Sequence, residues 1–236
     1  TAFARAMAPC LLKICGLRNP GQAAAVAHLG VDAIGVIGVP GSPRFLEAEH
    51  RQALFGAMRA AAPSCWGVLV VADPPQQLWP QLEAGRGHAV VQLHGSETPQ
   101  QCAQLRARLG CELWKALRIR SPEDLQRAVE YAPVVDALLL DAWVPDQLGG
   151  TGHRIPIEWL QGFTPVIPWW LAGGIRADRV PELLTRLTPT GLDASSGVER
   201  SPGNKDLGQV ATLVAAVRAA GLTAPSPPRS DGLAPG

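Results

Sequence analysis

Residues 168–197, PWWLAGGIRADRVPELLTRLTPTGLDASSG, hold one full turn of the pattern that decides the fold. An apolar run at 168–172 ends in Gly173-Gly174. A stretch with helical spacing follows at 176–187, and a second apolar run at 190–194 ends in Ser195-Ser196-Gly197. Short, almost continuously apolar runs suit parallel strands buried on both faces, and the intervening periodicity suits a helix packed on one side.

Working outward, the same alternation recurs eight times. Strands are predicted at 11–15, 32–37, 66–71, 88–93, 112–116, 135–140, 168–172 and 190–194. Helices are predicted at 19–29, 47–62, 75–85, 98–109, 121–131, 156–162, 176–187 and 204–220. Thr98-Pro99 and Ser121-Pro122 each offer a hydroxyl cap followed by proline at the first helical position, and Asn19-Pro20 offers the amide equivalent. Eight strand-then-helix units in about 210 residues fit a single-domain α/β chain closed as a (β/α)8, or TIM, barrel. An open doubly wound sheet ranks second, because no GxGxxG follows the first strand and the repeat has no break. The domain plan is then an N-terminal extension at 1–10, a barrel at 11–221, and a Pro-, Ser- and Gly-rich tail at 222–236 expected to be disordered.

Composition narrows the function. With 21 basic and 20 acidic residues the formal charge is +1, and no like-charge run offers a nucleic-acid or anionic-membrane footprint. The five cysteines, Cys10, Cys15, Cys65, Cys102 and Cys111, are odd in number and form no CxxC pair, which argues against a disulfide framework or a zinc site. A reducing compartment fits this usage. The opening TAFARAMAPCLL lacks a signal-peptide apolar run and no stretch reaches membrane-spanning length, so a cytoplasmic protein is expected. A monomer and a homodimer are equally compatible with the sequence.

A barrel of this kind carries its site at the C-terminal ends of the strands. The polar residues just past or at those ends are Cys15, Ser42 to Arg44, Gln92, His94, Asp141, Gly173, Gly174, Ser195, Ser196 and Gly197. Glycine lets the backbone approach a ligand closely, and the loops after strands 7 and 8 are this fold's frequent phosphate site. Gly173, Gly174, Ser195, Ser196 and Gly197 are therefore read as phosphate-binding, which implies a phosphorylated small-molecule substrate. The competing reading of these glycines is simple turn formation.

Several motifs stand in order along the chain: Lys13-Ile14-Cys15-Gly16-Leu17, Ser42-Pro43-Arg44, Gln92-Leu93-His94-Gly95-Ser96-Glu97, Leu140-Asp141, Gly149-Gly150-Thr151-Gly152 and Leu171-Ala172-Gly173-Gly174, then Asp193 to Glu199 with Pro202-Gly203 and Lys205-Asp206. Together they resemble the phosphoribosylanthranilate isomerases of tryptophan biosynthesis. The resemblance implies a cofactor-free and metal-free Amadori rearrangement, with Cys15 as general base and Asp141 as general acid. It also implies Arg44 as the cation for the anthranilate carboxylate. Gln92 and His94 are expected to line the floor without transferring protons.

A free thiol titrates near about 8.5, too high for an efficient base unless something favours the thiolate. On a strand, residues two apart share a face, so Lys13 is expected to point inward beneath Cys15. A buried lysine needs a partner, and Asp193, on the strand that closes the barrel against the first, is the candidate.

Each residue also has a plainer reading. Cys15 as a small buried hydrophobe, Asp141 as a helix cap, Arg44 as a solvated surface arginine and His94 as a hydrogen-bonded structural histidine are all common fates. Trp169 and Trp170 are expected to pack in the core. The chain departs from the usual family pattern at Ile34 to Val39, Gly67 to Ala72 and Ile157-Glu158-Trp159, positions that touch packing and rim. A histidine-pathway aminoaldose isomerase, which pairs two aspartates, is the nearest competing enzyme, and a degenerate barrel serving as a binding module is the non-enzymatic one.

Overall fold

In the computed structural model, which describes residues 9–142 and 153–222, strands and helices alternate along the chain. The strands are β1 (Leu11–Cys15), β2 (Ala33–Ile37), β3 (Trp66–Val71), β4 (Val90–Leu93), β5 (Glu112–Ile119), β6 (Ala137–Ala142), β7 (Trp169–Leu171) and β8 (Gly191–Ala194). They run parallel in sequence order around a closed barrel, and β8 pairs back onto β1. Most of the extension at 1–10, nearly all of the tail at 222–236 and the Gly149–Gly152 motif lie outside the described residues.

The pleat divides each strand's side chains between two cores. Outward residues such as Leu12, Ile14, Ile34, Val91 and Leu140 pack beneath the helices. Inward residues, including Ala33, Val68, Val90, Trp114, Ala116, Leu139 and Trp170, fill the barrel. Trp114 and Trp170 plug its lower half with ring centroids 4.9 Å apart, so the space left for a ligand is at the C-terminal mouth.

The helices are α1 (Pro20–His28), α2 (Ala48–Ala61), α3 (Pro99–Leu109), α4 (Ala128–Tyr131), α5 (Ile157–Leu160), α6 (Val180–Arg186) and α7 (Leu207–Leu222). Their start signals behave as local chemistry requires in two cases. Asn19 accepts a hydrogen bond from the Gln22 N–H, and Thr98 forms a capping box with Gln101. Ser121 makes no side-chain cap.

The structure corrects several predicted boundaries. The expected helix at 75–85 shrinks to a 3-10 turn at Gln76–Gln81, because Pro80 inside it has no N–H to donate and crowds the preceding turn. The segment 121–131 splits into a 3-10 turn at Pro122–Arg127 and the short α4, and 176–187 splits into a 3-10 turn at Ala177–Arg179 and α6. Residues 204–205 are not helical. Asn204–Lys205 forms β10, paired antiparallel with β9 (Glu199–Ser201) in a hairpin that follows β8. Asp141 lies within β6 rather than after it. Among the described residues no helix is long and apolar enough to cross a membrane.

Candidate active site

Cys15 ends β1 with its side chain inside the barrel, and a glycine makes that possible. Cys15 and Gly35 are cross-strand partners, and a Cβ on Gly35 would sit 2.6 Å from the Cys15 sulfur. Below Cys15 on the same face, Lys13 is fully buried and its Nζ lies 2.9 Å from Asp193 Oδ2. Lys13 and Asp193 are cross-strand partners across the β1 and β8 seam, as strand periodicity and barrel closure predict. The second Asp193 oxygen, Oδ1, is buried and has no hydrogen-bond partner among the described residues.

Burial tends to neutralise the Lys13 ammonium, but Asp193 and Cys15 outweigh it and leave the lysine pKa above its ordinary value. Burial also pushes the Cys15 thiol up. Lys13 and Lys205 pull it down without cancelling that effect, so the net direction is upward.

On the far side of the mouth, Asp141 is buried and its Oδ1 accepts the backbone N–H of Ala142 at 2.9 Å. Its Oδ2 lies 3.4 Å from His94 Nε2, close enough to interact but without hydrogen-bond alignment, so His94 Nε2 has no hydrogen-bond partner among the described residues. His94 Nδ1 is 3.1 Å from Gln92 Nε2, and Gln92 Oε1 also lacks a partner among the described residues. Buried polar atoms are normally paired, so Gln92, His94 and Asp193 present unfilled hydrogen-bonding capacity to whatever enters the mouth.

The loop after β7 turns at Gly173, whose φ of 92° suits only glycine and whose absent Cβ would otherwise meet the His153 carbonyl at 2.6 Å. The Gly173 and Gly174 carbonyls are tied to Arg179 Nη1 at 3.4 and 3.0 Å. Ser195 donates its hydroxyl to the Cys15 carbonyl at 3.1 Å, joining the β8 loop to the top of β1.

Arg44 is not a solvated arginine. Its side chain is buried and engaged by Glu199, with Nε 3.0 Å from Oε1 and Nη2 2.7 Å from Oε2. Lys205 Nζ lies 2.6 Å from the same carboxylate. Burial pushes the Glu199 carboxyl up, yet Arg44 and Lys205 together hold it below its ordinary range. Burial sets the Lys205 ammonium below its ordinary range despite Glu199.

Cys15, Arg44, Gln92, His94, Asp141, Asp193, Gly173, Gly174, Ser195, Ser196 and Gly197 all line one pocket at the barrel mouth, together with Ser42 and the apolar Ile37, Val39, Val70 and Ala172. Lys13 lies behind it. Glu199 and Lys205 stand in the motifs above without an expected role. The available signal was Pro202-Gly203 between short charged runs, a turn signature that marks a hairpin. The five cysteines are free thiols, and Trp169 and Trp170 are core residues, as expected.

Fold and pocket together define a (β/α)8 barrel with buried titratable groups converging on a mouth pocket over the β7 and β8 loops. The chain belongs to the N-(5'-phosphoribosyl)anthranilate isomerase family, whose model matches residues 12–216. It is 44% identical over 206 residues to an isomerase of that name from Gloeobacter violaceus, covering 86% of this chain and 91% of the relative. The isomerase of Microcystis aeruginosa is 45% identical over 205 residues, covering 86% and 95%. The crystal structure of the phosphoribosyl anthranilate isomerase of Thermus thermophilus superposes with a TM-score of 0.76 at 29% identity, covering 89% of this chain and 98% of the other.

Proposed function

We propose that this chain is an N-(5'-phosphoribosyl)anthranilate isomerase of tryptophan biosynthesis, in which Cys15 is the general base and Asp141 the general acid. Family membership supports the reaction. The observation that carries the residue roles is the convergence of a buried thiol from β1 and a buried carboxyl from β6 on opposite sides of one pocket.

In this mechanism Asp141 protonates the furanose ring oxygen, the bond from that oxygen to C1' breaks, and the anthranilate nitrogen takes up the positive charge as an iminium. Cys15, as thiolate, removes the C2' proton to give an enolamine. Protonation at C1' and loss of the enol proton then yield the 1-deoxyribulose ketone, so the step is a net isomerisation. Lys13, charged and held by Asp193, favours the thiolate through electrostatics. Arg44 accepts the anthranilate carboxylate in a planar guanidinium contact. Gly173, Gly174, Ser195, Ser196 and Gly197 cradle the phosphate. Gln92 and His94 orient the ribose hydroxyls.

The catalytic unit is taken as residues 11–221, acting in the cytoplasm on a soluble phosphorylated substrate. Turnover of phosphoribosylanthranilate, followed by loss of its anthranilate-type fluorescence, tests the activity. Rescue of a tryptophan auxotroph lacking the isomerase, with Asp141→Asn as control, tests it in the cell. Failure of well-folded protein in both assays sinks the reading.

A further inference from the structure

Among the buried groups that the mechanism does not use, Glu199 makes the densest set of charged contacts. It opens β9, in the hairpin after β8, and its carboxylate accepts from Arg44 Nε and Nη2, from Lys205 Nζ and from the Gly203 N–H at 3.1 Å. The Arg44 and Glu199 side chains are only 8% and 4% exposed. We propose that Glu199 is the positioning residue for Arg44, fixing its guanidinium so that the unused edge faces a carboxylate on the substrate. The assignment rests on the substrate proposed above.

A guanidinium carries five N–H donors in a rigid plane. Glu199 occupies the side edge formed by Nε and Nη2, and among the described residues no acceptor engages Nη1. The end edge, Nη1 with the remaining Nη2 proton, is therefore free to grip a second carboxylate in two parallel hydrogen bonds. Arg44 lines the pocket, and in this proposal the free edge turns toward the ligand.

Charge balance points the same way. Arg44, Glu199 and Lys205 bring two cations and one anion into a buried space, leaving one positive charge that an anionic ligand group can balance. Without Glu199 a long, rotamer-rich side chain would have to be ordered when substrate binds, and affinity would fall by that cost.

The hairpin also reaches the phosphate side, because Lys205 Nζ donates to the Ser195 carbonyl at 3.2 Å. The test must separate the two ends. With phosphoribosylanthranilate, Glu199→Gln is expected to raise KM about 30-fold while kcat changes little. With N-(5'-phosphoribosyl)aniline, which keeps the phosphate and lacks the carboxylate, wild type and variant are expected to behave alike. In the Arg44→Ala background the Glu199 substitution should add nothing. Equal losses on both substrates, or full additivity with Arg44→Ala, overturn the assignment.

If Glu199→Gln does not fold, Glu199→Asp keeps the charge and withdraws the carboxylate by one methylene. The same carboxylate-specific rise in KM is expected, and an unchanged KM overturns the proposal. A folded wild-type enzyme without turnover of phosphoribosylanthranilate overturns the functional reading and this assignment with it. Wild-type turnover with equal losses overturns the assignment alone.

Discussion

Lys13 and Asp193 form a buried ion pair, Nζ to Oδ2 2.9 Å, across the seam where the last strand of the barrel closes on the first. It sits directly beneath Cys15, and its ammonium does more than that of Lys205 to offset the effect of burial on the thiol. Lys13→Met is expected to raise the Cys15 pKa further and to cost about 3 kcal/mol of stability by stranding Asp193. Alkylation rate against pH, measured with Cys10 and Cys111 replaced by serine, reads the first effect, and denaturant unfolding reads the second. An unchanged thiol pKa removes Lys13 from the mechanism.

The Cys15 thiol stands above its ordinary range, burial being the main cause. A base works only when deprotonated, so kcat/KM of the free enzyme should climb with pH through the neutral range and still be rising at about pH 9. Cys15→Ser and Asp141→Asn should each cost about 10²- to 10⁴-fold in kcat. A plateau reached below neutrality would show that the group titrating in the free enzyme is not this thiol.

Gly173→Ala tests the phosphate loop. Its φ of 92° and the His153 carbonyl next to the missing Cβ make any side chain a strain of about 1–3 kcal/mol. Because the loop lines the pocket, the expected signature is a rise in KM and weaker competition by inorganic phosphate, alongside a lower melting temperature. Phosphate inhibition identical to wild type would move the phosphate site elsewhere.

Glu199 gives an acid-stability prediction whose sign follows from its lowered pKa. A carboxyl titrating below its unfolded value of 4.5 contributes stability that is fully present above that value and is lost as pH falls through the lower, folded one. The stability gap between wild type and Glu199→Gln should therefore be constant from neutral pH to about pH 5 and should close below pH 4.5. Urea unfolding at stepped pH checks it. A gap that widens on acidification contradicts the lowered pKa.

Much of the site was legible because it depends on local periodicity. The strand repeat placed Cys15, Gln92 and Asp193 at the tops of their strands, and two-residue alternation put Lys13 beneath Cys15. Asp141 was expected just past its strand and lies one residue inside the end of β6, still in the mouth. The helices were less legible. Gln76–Gln81 has the length of a helical segment, but proline chemistry and packing against the barrel limit it to a 3-10 turn.

What the sequence determined by itself was the barrel and the two sides of its mouth, since strand period, helix caps and the strand 7 and 8 glycines act over a few residues. The tertiary structure alone decided how Arg44 is held. Its partner Glu199 lies 155 residues away, on a two-strand hairpin too short to announce itself by periodicity. A buried ion network of this kind exists only once the closed barrel brings the β2 and β8 loops together and removes their charges from water, which is why nothing in the sequence pairs Arg44 with Glu199.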